Sequence, residues 1–377
     1  MSEILFAGAV FVSMLGFGVN AIHNPHGGWD AWAIWNLRAR FLFRGEAHWT
    51  DAFSETLAWS HPDYPLLLPA AIARAWHYGA LETQLVPALI GFMFTFATVG
   101  LMVWGVGRLR GRSQGLLAGL VLLGTPFFVQ HGASQYAEPP LAFYFLATLV
   151  LLTSANAAAP SERYRWLFLA ALAAGFGAWT KNEGGLFLLV MLLVQGACWV
   201  RAKGRRWSRY DLAGMGAGLA GPALLLLAFK KTLAPANDVI GAQTAGTLAS
   251  HLLDPARHAQ IAAAFWEQFN RFGHGMAVGL VVFMLLAGRE RSLRGVRPTW
   301  AVVGLMLAGY YGVYLITPWN LGWHLATSLD RLFLQLWPCA VFAAMLGARG
   351  IAPAGGESDA AVRSRLEGLE PVQTKAT

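Results

Sequence analysis

Apolar residues run along this chain in continuous stretches rather than in alternation. Ten stretches, at roughly 4–22, 84–107, 115–131, 139–155, 166–180, 185–200, 212–229, 275–288, 299–316 and 331–347, approach the ~20 residues that an α-helix needs to cross a bilayer. The strands of a membrane barrel would instead alternate lipid-facing with lumen-facing residues. The pattern predicts an all-α polytopic membrane protein in which residues 1–347 form one bundle of about ten transmembrane helices. It shows neither a repeat of fixed period nor a soluble domain.

An even number of crossings returns both termini to one side. The connections "RLRGR" (108–112), "SERYR" (161–165), "RAKGRRWSR" (201–209) and "GRERSLRGVR" (288–297) then share that side and hold 14 of the 28 Lys and Arg residues. The positive-inside rule makes that side cytoplasmic, with both termini inside. All ten histidines (His23, His26, His48, His61, His77, His131, His251, His258, His274 and His324) fall in or beside the opposite loops, so polar chemistry collects outside. The net charge of +8 is accounted for by the inner loops and the tail and needs no nucleic-acid partner. Residues 1–10 lack a basic segment, so the first stretch reads as a retained span rather than a cleaved signal. Cys198 and Cys339 lie in predicted spans without metal-type spacing and read as packing residues. The tail 348–377 is rich in Gly, Ala and charge, and is expected to be disordered.

The outer loops are unequal, with long ones at 23–83 and 230–274. In the first, "GGWDAWAIWNLRARFLFRGE" (27–46) places Asp30 at the head of an aromatic, basic helix. At 100° per residue Trp32, Trp35, Ala39, Leu42 and Phe43 share one face, and Asn36, Arg40 and Arg44 form a stripe beside it. This predicts an interfacial helix with aromatics toward lipid, and with Arg40 and Arg44 toward headgroups or a phosphate. Farther on, "HPDYPLLLPAAIARAWHYGA" (61–80) opens as a turn and continues as a helix too short to span.

The order of Asp30, "HPDYPLLLPAA", "QYAEPPLAFYF" (135–145) and "GFGAWTKNEGG" (175–185) resembles the bacterial membrane glycosyltransferases of the GT-C class. The likeness is to the family 39-like branch related to protein mannosyltransferases and lipid A aminoarabinose transferases. It covers roughly residues 1–200 by motif and the remainder by architecture. It implies a GT-C-like bundle and an integral membrane enzyme. Such an enzyme moves a hexosyl or pentosyl group, with inversion, from a polyprenyl phosphate to an acceptor hydroxyl on a glycan, lipid or protein outside the cytoplasmic membrane.

The resemblance also implies roles. Asp30 matches the family's acid in the first outer loop and is expected to be the general base, since a sugar on phosphate already has a good leaving group and mainly needs a deprotonated acceptor. Here Ala31 follows it, where relatives often carry a second acid. Glu138 matches the acid of the second outer loop and is expected to bind or orient the acceptor. His61 and Tyr64 match a substrate-binding pattern in which Asp63 replaces a proline. Lys181 matches a recurring lysine expected to pair with the donor phosphate.

Read from the residues alone, Asp30 would equally serve as a helix N-cap, Glu138 as an acid favoured by a helix dipole, Lys181 as a snorkelling lysine and Asp63 as a turn residue. Arg331, at the start of the last predicted span, is an independent phosphate candidate beside Asp330, and His324 in the preceding loop is a substrate contact. The acids and histidines show no compact metal-ligand spacing, so no cofactor is expected. The chain has no nucleotide-binding glycine pattern, as suits a lipid-linked donor. An O-antigen ligase or polymerase using lipid-pyrophosphate glycans is the second enzyme reading, and a transporter the contrasting class.

Overall fold

The structure is a computed structural model, and describes residues 2–201, 208–241, 243–288 and 295–349. Most of the loops "RAKGRRWSR" and "GRERSLRGVR", and the tail beyond residue 349, lie outside the described residues.

The elements formed by the described residues are all helical. Helix α1 (Ser2–His23) is followed by a π-helical turn at Ala31–Trp35, α2 (Asn36–Arg44), 3-10 turns at Glu46–Phe53 and Glu55–Ser60, and the short α3 (Leu67–Gly79). Then come α4 (Leu85–Arg110), α5 (Arg112–Leu123), α6 (Pro126–Ala133), α7 (Glu138–Ala157), α8 (Arg163–Thr180), α9 (Asn182–Arg201) and α10 (Arg209–Thr232). The remainder is α11 (Asp238–Gly241), α12 (Ala245–Leu252), α13 (Pro255–Arg271), α14 (Met276–Ala287), α15 (Val296–Ile316) and α16 (Leu321–Gly347).

Seven of these helices (α1, α4, α7, α9, α10, α15 and α16) are long and apolar enough to cross a membrane, or up to nine spans if each of two bent pairs is one crossing. The bent pairs correct the sequence reading. The predicted span 115–131 is α5 and α6, which meet at 64° around Gly124 and Thr125; the predicted span 275–288 is only the second arm of α13 and α14, which meet at 74°. The segment 166–180 forms α8, which is not among the seven.

Helices α7 and α16 lie at the centre and bury most of their surface, whereas α1 is almost wholly exposed at the rim. In lipid an exposed apolar helix costs nothing, so what orders the bundle is close packing and polar pairing. Between α8 and α10 the packing rests on small residues. A methyl group at Gly214 would lie 2.5 Å from the Tyr164 carbonyl, one at Gly175 would lie 2.6 Å from Pro222 Cβ, and one at Gly218 would overlap the Phe168 carbonyl. Gly214 and Gly218 are one turn apart, a small-xxx-small pattern. At the "SERYR" end the buried Arg163 and Asp211 close the same pair of helices.

The expected aromatic face of the first loop is also corrected. Trp29 and Trp32 are exposed, but Trp35 and Ala39 are buried, and Trp35 stacks on Tyr64 with ring centroids 5.7 Å apart. The reason is local: residues 31–35 wind as a π turn. Its wider turn breaks the 100° phase that the projection assumed.

The topology has a direct test. In a background lacking Cys198 and Cys339, Ala47→Cys and Ser161→Cys put labels on two exposed positions of opposite predicted sidedness. A membrane-impermeant thiol reagent applied to intact cells should label the first and spare the second; the reverse result would invert the orientation inferred from the basic loops.

Candidate active site

Four segments that are far apart in sequence meet at one end of the bundle. The first is fixed by two glycines. Gly27 has φ +74°, a conformation that side chains rarely adopt, and Gly28 lies so close to Tyr136 that a methyl group there would sit 2.6 Å from its ring. The Gly28 amide donates to the Ser134 carbonyl at 2.9 Å, and the loop is thereby docked on residues 134–136. Asn36 extends the dock by donating to Gln135 Oε1 at 2.8 Å, while Gln135 Nε2 donates to the Pro25 carbonyl at 3.0 Å.

Asp30 therefore sits beside Tyr136 with helical backbone angles, and its side chain makes no capping hydrogen bond. The carboxylate instead pairs with the Arg331 guanidinium, 301 residues away in sequence. The last span does not open at residue 331, as the sequence predicted. Asn320 caps α16 by accepting from the Trp323 amide at 2.9 Å, which carries Arg331 inside the helix and turns it onto Asp30. The guanidinium also lies over the Tyr136 ring, 5.8 Å from its centroid. Burial raises the pKa of the Tyr136 phenol, and Asp30 adds to the effect.

Glu138 opens α7, followed by two prolines suited to a first helical turn, and is completely buried. Its Oε1 accepts from Lys181 Nζ at 2.9 Å. Lys181 stands in extended backbone between α8 and α9, at a turn so tight that a methyl group on Gly184 would overlap the Gly177 carbonyl. Only 4% of Lys181 is exposed, so it does not snorkel. It also pairs with Glu183 at 2.9 Å, and lies over the Tyr64 ring at 5.6 Å. Burial alone would push this ammonium toward neutrality; Glu138, and then Glu183, more than offset it and hold its pKa above the usual lysine value. Glu138 Oε2, Glu183 Oε2 and Arg331 Nε have no hydrogen-bond partner among the described residues, so the group retains acceptors and a donor for a bound substrate.

A second polar group adjoins it through Asn182. The Asp63 carboxylate accepts from Asn182 at 2.6 Å and from Asn237 at 2.8 Å, and Lys230 Nζ donates to the Asp63 carbonyl at 2.6 Å and to Asn182 Oδ1 at 2.9 Å. Asp63 is thus more than a turn residue. Tyr64 stacks with Trp35 and with His61, whose ring is 5.0 Å away.

Of the residues predicted from sequence, Asp30, Glu138, Lys181, Arg331 and Tyr64 come together. His61 borders them through Tyr64. His324 instead bonds Thr317 Oγ1 at 2.9 Å and packs on Tyr314 near the start of α16. Arg40 and Arg44 are directed elsewhere, as both donate to Glu82, whose pKa they lower, the Arg44 bond most strongly. The i, i+4 stripe was real, but its partner is a carboxylate at the entry to α4. The sequence reading missed Glu183, Asn182, Lys230 and Tyr136. Glu183 and Asn182 lie inside the quoted "GAWTKNEGG" motif, and a turn carrying three consecutive polar residues between two apolar helices was the available signal. Among the described residues no group of three or more His, Cys, Asp and Glu side chains is arranged to hold a metal ion.

Residues 63–226 match the family model described as dolichyl-phosphate-mannose-protein mannosyltransferase, a segment that includes Asp63, Glu138 and Lys181. No curated protein matches the chain in sequence. Among solved structures the chain is similar to ArnT from Cupriavidus metallidurans bound to undecaprenyl phosphate, with TM-score 0.55 and 13% identity over 97% of this chain and 62% of that one. The apo form of the same protein matches with TM-score 0.50 and 13% identity over 91% and 59% of the two chains. This chain thus spans less than two thirds of the length of the structures it resembles. It has a GT-C-like membrane fold, and over residues 63–226 it is similar to the dolichyl-phosphate-mannose-protein mannosyltransferases.

Proposed function

We propose that the chain is an integral membrane glycosyltransferase that takes a sugar from a polyprenyl phosphate and transfers it, with inversion, to an acceptor hydroxyl at the outer face of the cytoplasmic membrane. The observation that carries this reading is the convergence of two ion pairs, the buried Glu138–Lys181 and the partly buried Asp30–Arg331, with Glu138 acting on Arg331 through space. Inverting transfer from a phosphate needs a carboxylate on the acceptor side and cations on the leaving-group side.

In this reading Asp30 takes the acceptor proton as the acceptor oxygen bonds to the anomeric carbon. The anomeric C–O bond to phosphate breaks, and its electron pair stays on the released polyprenyl phosphate. Lys181 and Arg331 stabilise that charge, and Tyr64, with His61 stacked on it, borders the sugar and acceptor. Arg331 and Asp30 hold each other in the ligand-free arrangement. A donor phosphate offers Arg331 a second anion, and so frees lone pairs on Asp30 when a substrate is present to use them. ArnT bound to undecaprenyl phosphate supplies a lipid of the matching chemistry on a similar fold.

The test is transfer by the purified protein in liposomes from synthetic polyprenyl-phosphate sugars, with polyprenyl-pyrophosphate glycans and solute flux run in parallel. Transfer from the monophosphate donor is expected. Transfer from the pyrophosphate donors alone, or flux without transfer, would overturn the reading. Arg331→Ala should weaken binding of the polyprenyl phosphate by roughly 1.5–3 kcal/mol, the worth of a charge-assisted phosphate contact, as read by titration calorimetry in detergent.

A further inference from the structure

Arg38 lies in α2 and is fully buried, yet no carboxylate forms a salt bridge with it among the described residues. A buried guanidinium without an ion pair is costly unless its N–H groups are satisfied by other acceptors. Here the acceptors of the two Nη groups are backbone, while Nε has no partner among the described residues. Nη1 donates to the Tyr64 carbonyl at 2.9 Å, and Nη2 donates to the Ser60 carbonyl at 2.5 Å and to the His61 carbonyl. Burial lowers the pKa of Arg38 to about 10, with nearby Asp63 opposing the fall.

Three carbonyls from five consecutive residues converge on one side chain because the chain turns sharply between them. His61 has φ +50° and ψ +60°, the left-handed region, which non-glycine residues visit rarely. The planar fork of arginine, with several donors in fixed directions, matches such an arrangement; the single ammonium of a lysine does not. The opposite side of the same turn is fastened by Asp63 to Asn182, Asn237 and Lys230. What the turn carries is Tyr64, whose ring stacks with Trp35 and His61 and lies 5.6 Å from Lys181 Nζ.

We infer that Arg38 is a positioning residue, which fixes the turn 60–64 through its carbonyls and thereby sets the Tyr64 ring against Lys181. Its function is to hold the ammonium between Tyr64 and Glu138. The inference rests on the proposed function only in giving Lys181 a donor phosphate to meet; the geometry it asserts is independent of that reading.

The test therefore reads Lys181 in two ways. The chain has five lysines, so the rate of acylation of Lys181 by an amine-reactive reagent can be followed peptide by peptide in the purified full-length protein. Arg38→Met, checked for monodispersity and melting, is expected to speed acylation of Lys181 severalfold relative to Lys231, because a loosened turn opens locally. It should also weaken binding of decaprenyl phosphate roughly tenfold, the lower end of a charge-assisted contact. Arg38→Lys, which keeps the charge without the fork, should fall between the two and serves if the methionine variant does not fold. Tyr64→Leu leaves Arg38 and its acceptors in place and should reproduce the acceleration. Acylation of Lys181 at the wild-type rate in any folded member of this set would overturn the inference. Faster acylation with no decaprenyl phosphate binding even by the wild type would uphold the positioning role and overturn the proposed function instead.

Discussion

Asp30→Asn is expected to give a folded protein that binds polyprenyl phosphate and fails to transfer sugar. As a cap, Asn serves about as well as Asp, and in any case the Asp30 side chain makes no capping bond here, so the first-loop helices should stay docked. The docking itself depends on Gly27, Gly28 and the Asn36–Gln135 bond, none of which the substitution touches. As a base, Asn cannot take the acceptor proton, and turnover should fall by the roughly 10²–10⁴-fold typical of lost acid–base catalysis. Arg331 also loses its anion in this variant, so donor affinity should hold or increase. Single-turnover transfer from a saturating donor, with affinity measured separately, checks both parts. Near-normal turnover would remove Asp30 from the chemistry and leave Glu138 as the carboxylate to examine.

Lys181→Met should be among the most destabilising substitutions in the chain. It strands Glu138 and Glu183, one completely buried and the other largely so, with no remaining salt-bridge partner among the described residues. Removing one member of a buried pair costs about 3–5 kcal/mol, chiefly as the penalty of the uncompensated charge left behind. Thermal melting in detergent should show it as a clearly lowered transition. Adding Glu138→Gln to the same chain removes one stranded charge and should recover part of the loss, a non-additivity that an unrelated pair of sites would not show. An unchanged melting transition in Lys181→Met would mean that the two carboxylates are not both ionised in the folded protein.

The sequence alone determined that the chain is helical and made for a bilayer, because span length and the absence of alternation are local properties that one stretch reports by itself. It also located most of the polar residues that matter, since a charge at the end of an apolar helix stands out against its surroundings. Asp30, Glu138 and Lys181 were visible in this way, and so was the arginine stripe of α2. Their partners were not. Nothing near Asp30 points to Arg331, and nothing near Arg40 and Arg44 points to Glu82, because charges choose partners by distance in space, which hydrophobic period does not encode. The π turn at residues 31–35 altered which aromatics face inward, and the cap at Asn320 moved Arg331 from the mouth of a helix to its interior. Arg38 shows the limit most clearly. In the sequence it is one of three arginines in a basic segment; only the tertiary structure, by closing the turn 60–64 over it, made it the buried donor to three carbonyls while its neighbours stayed at the surface on Glu82.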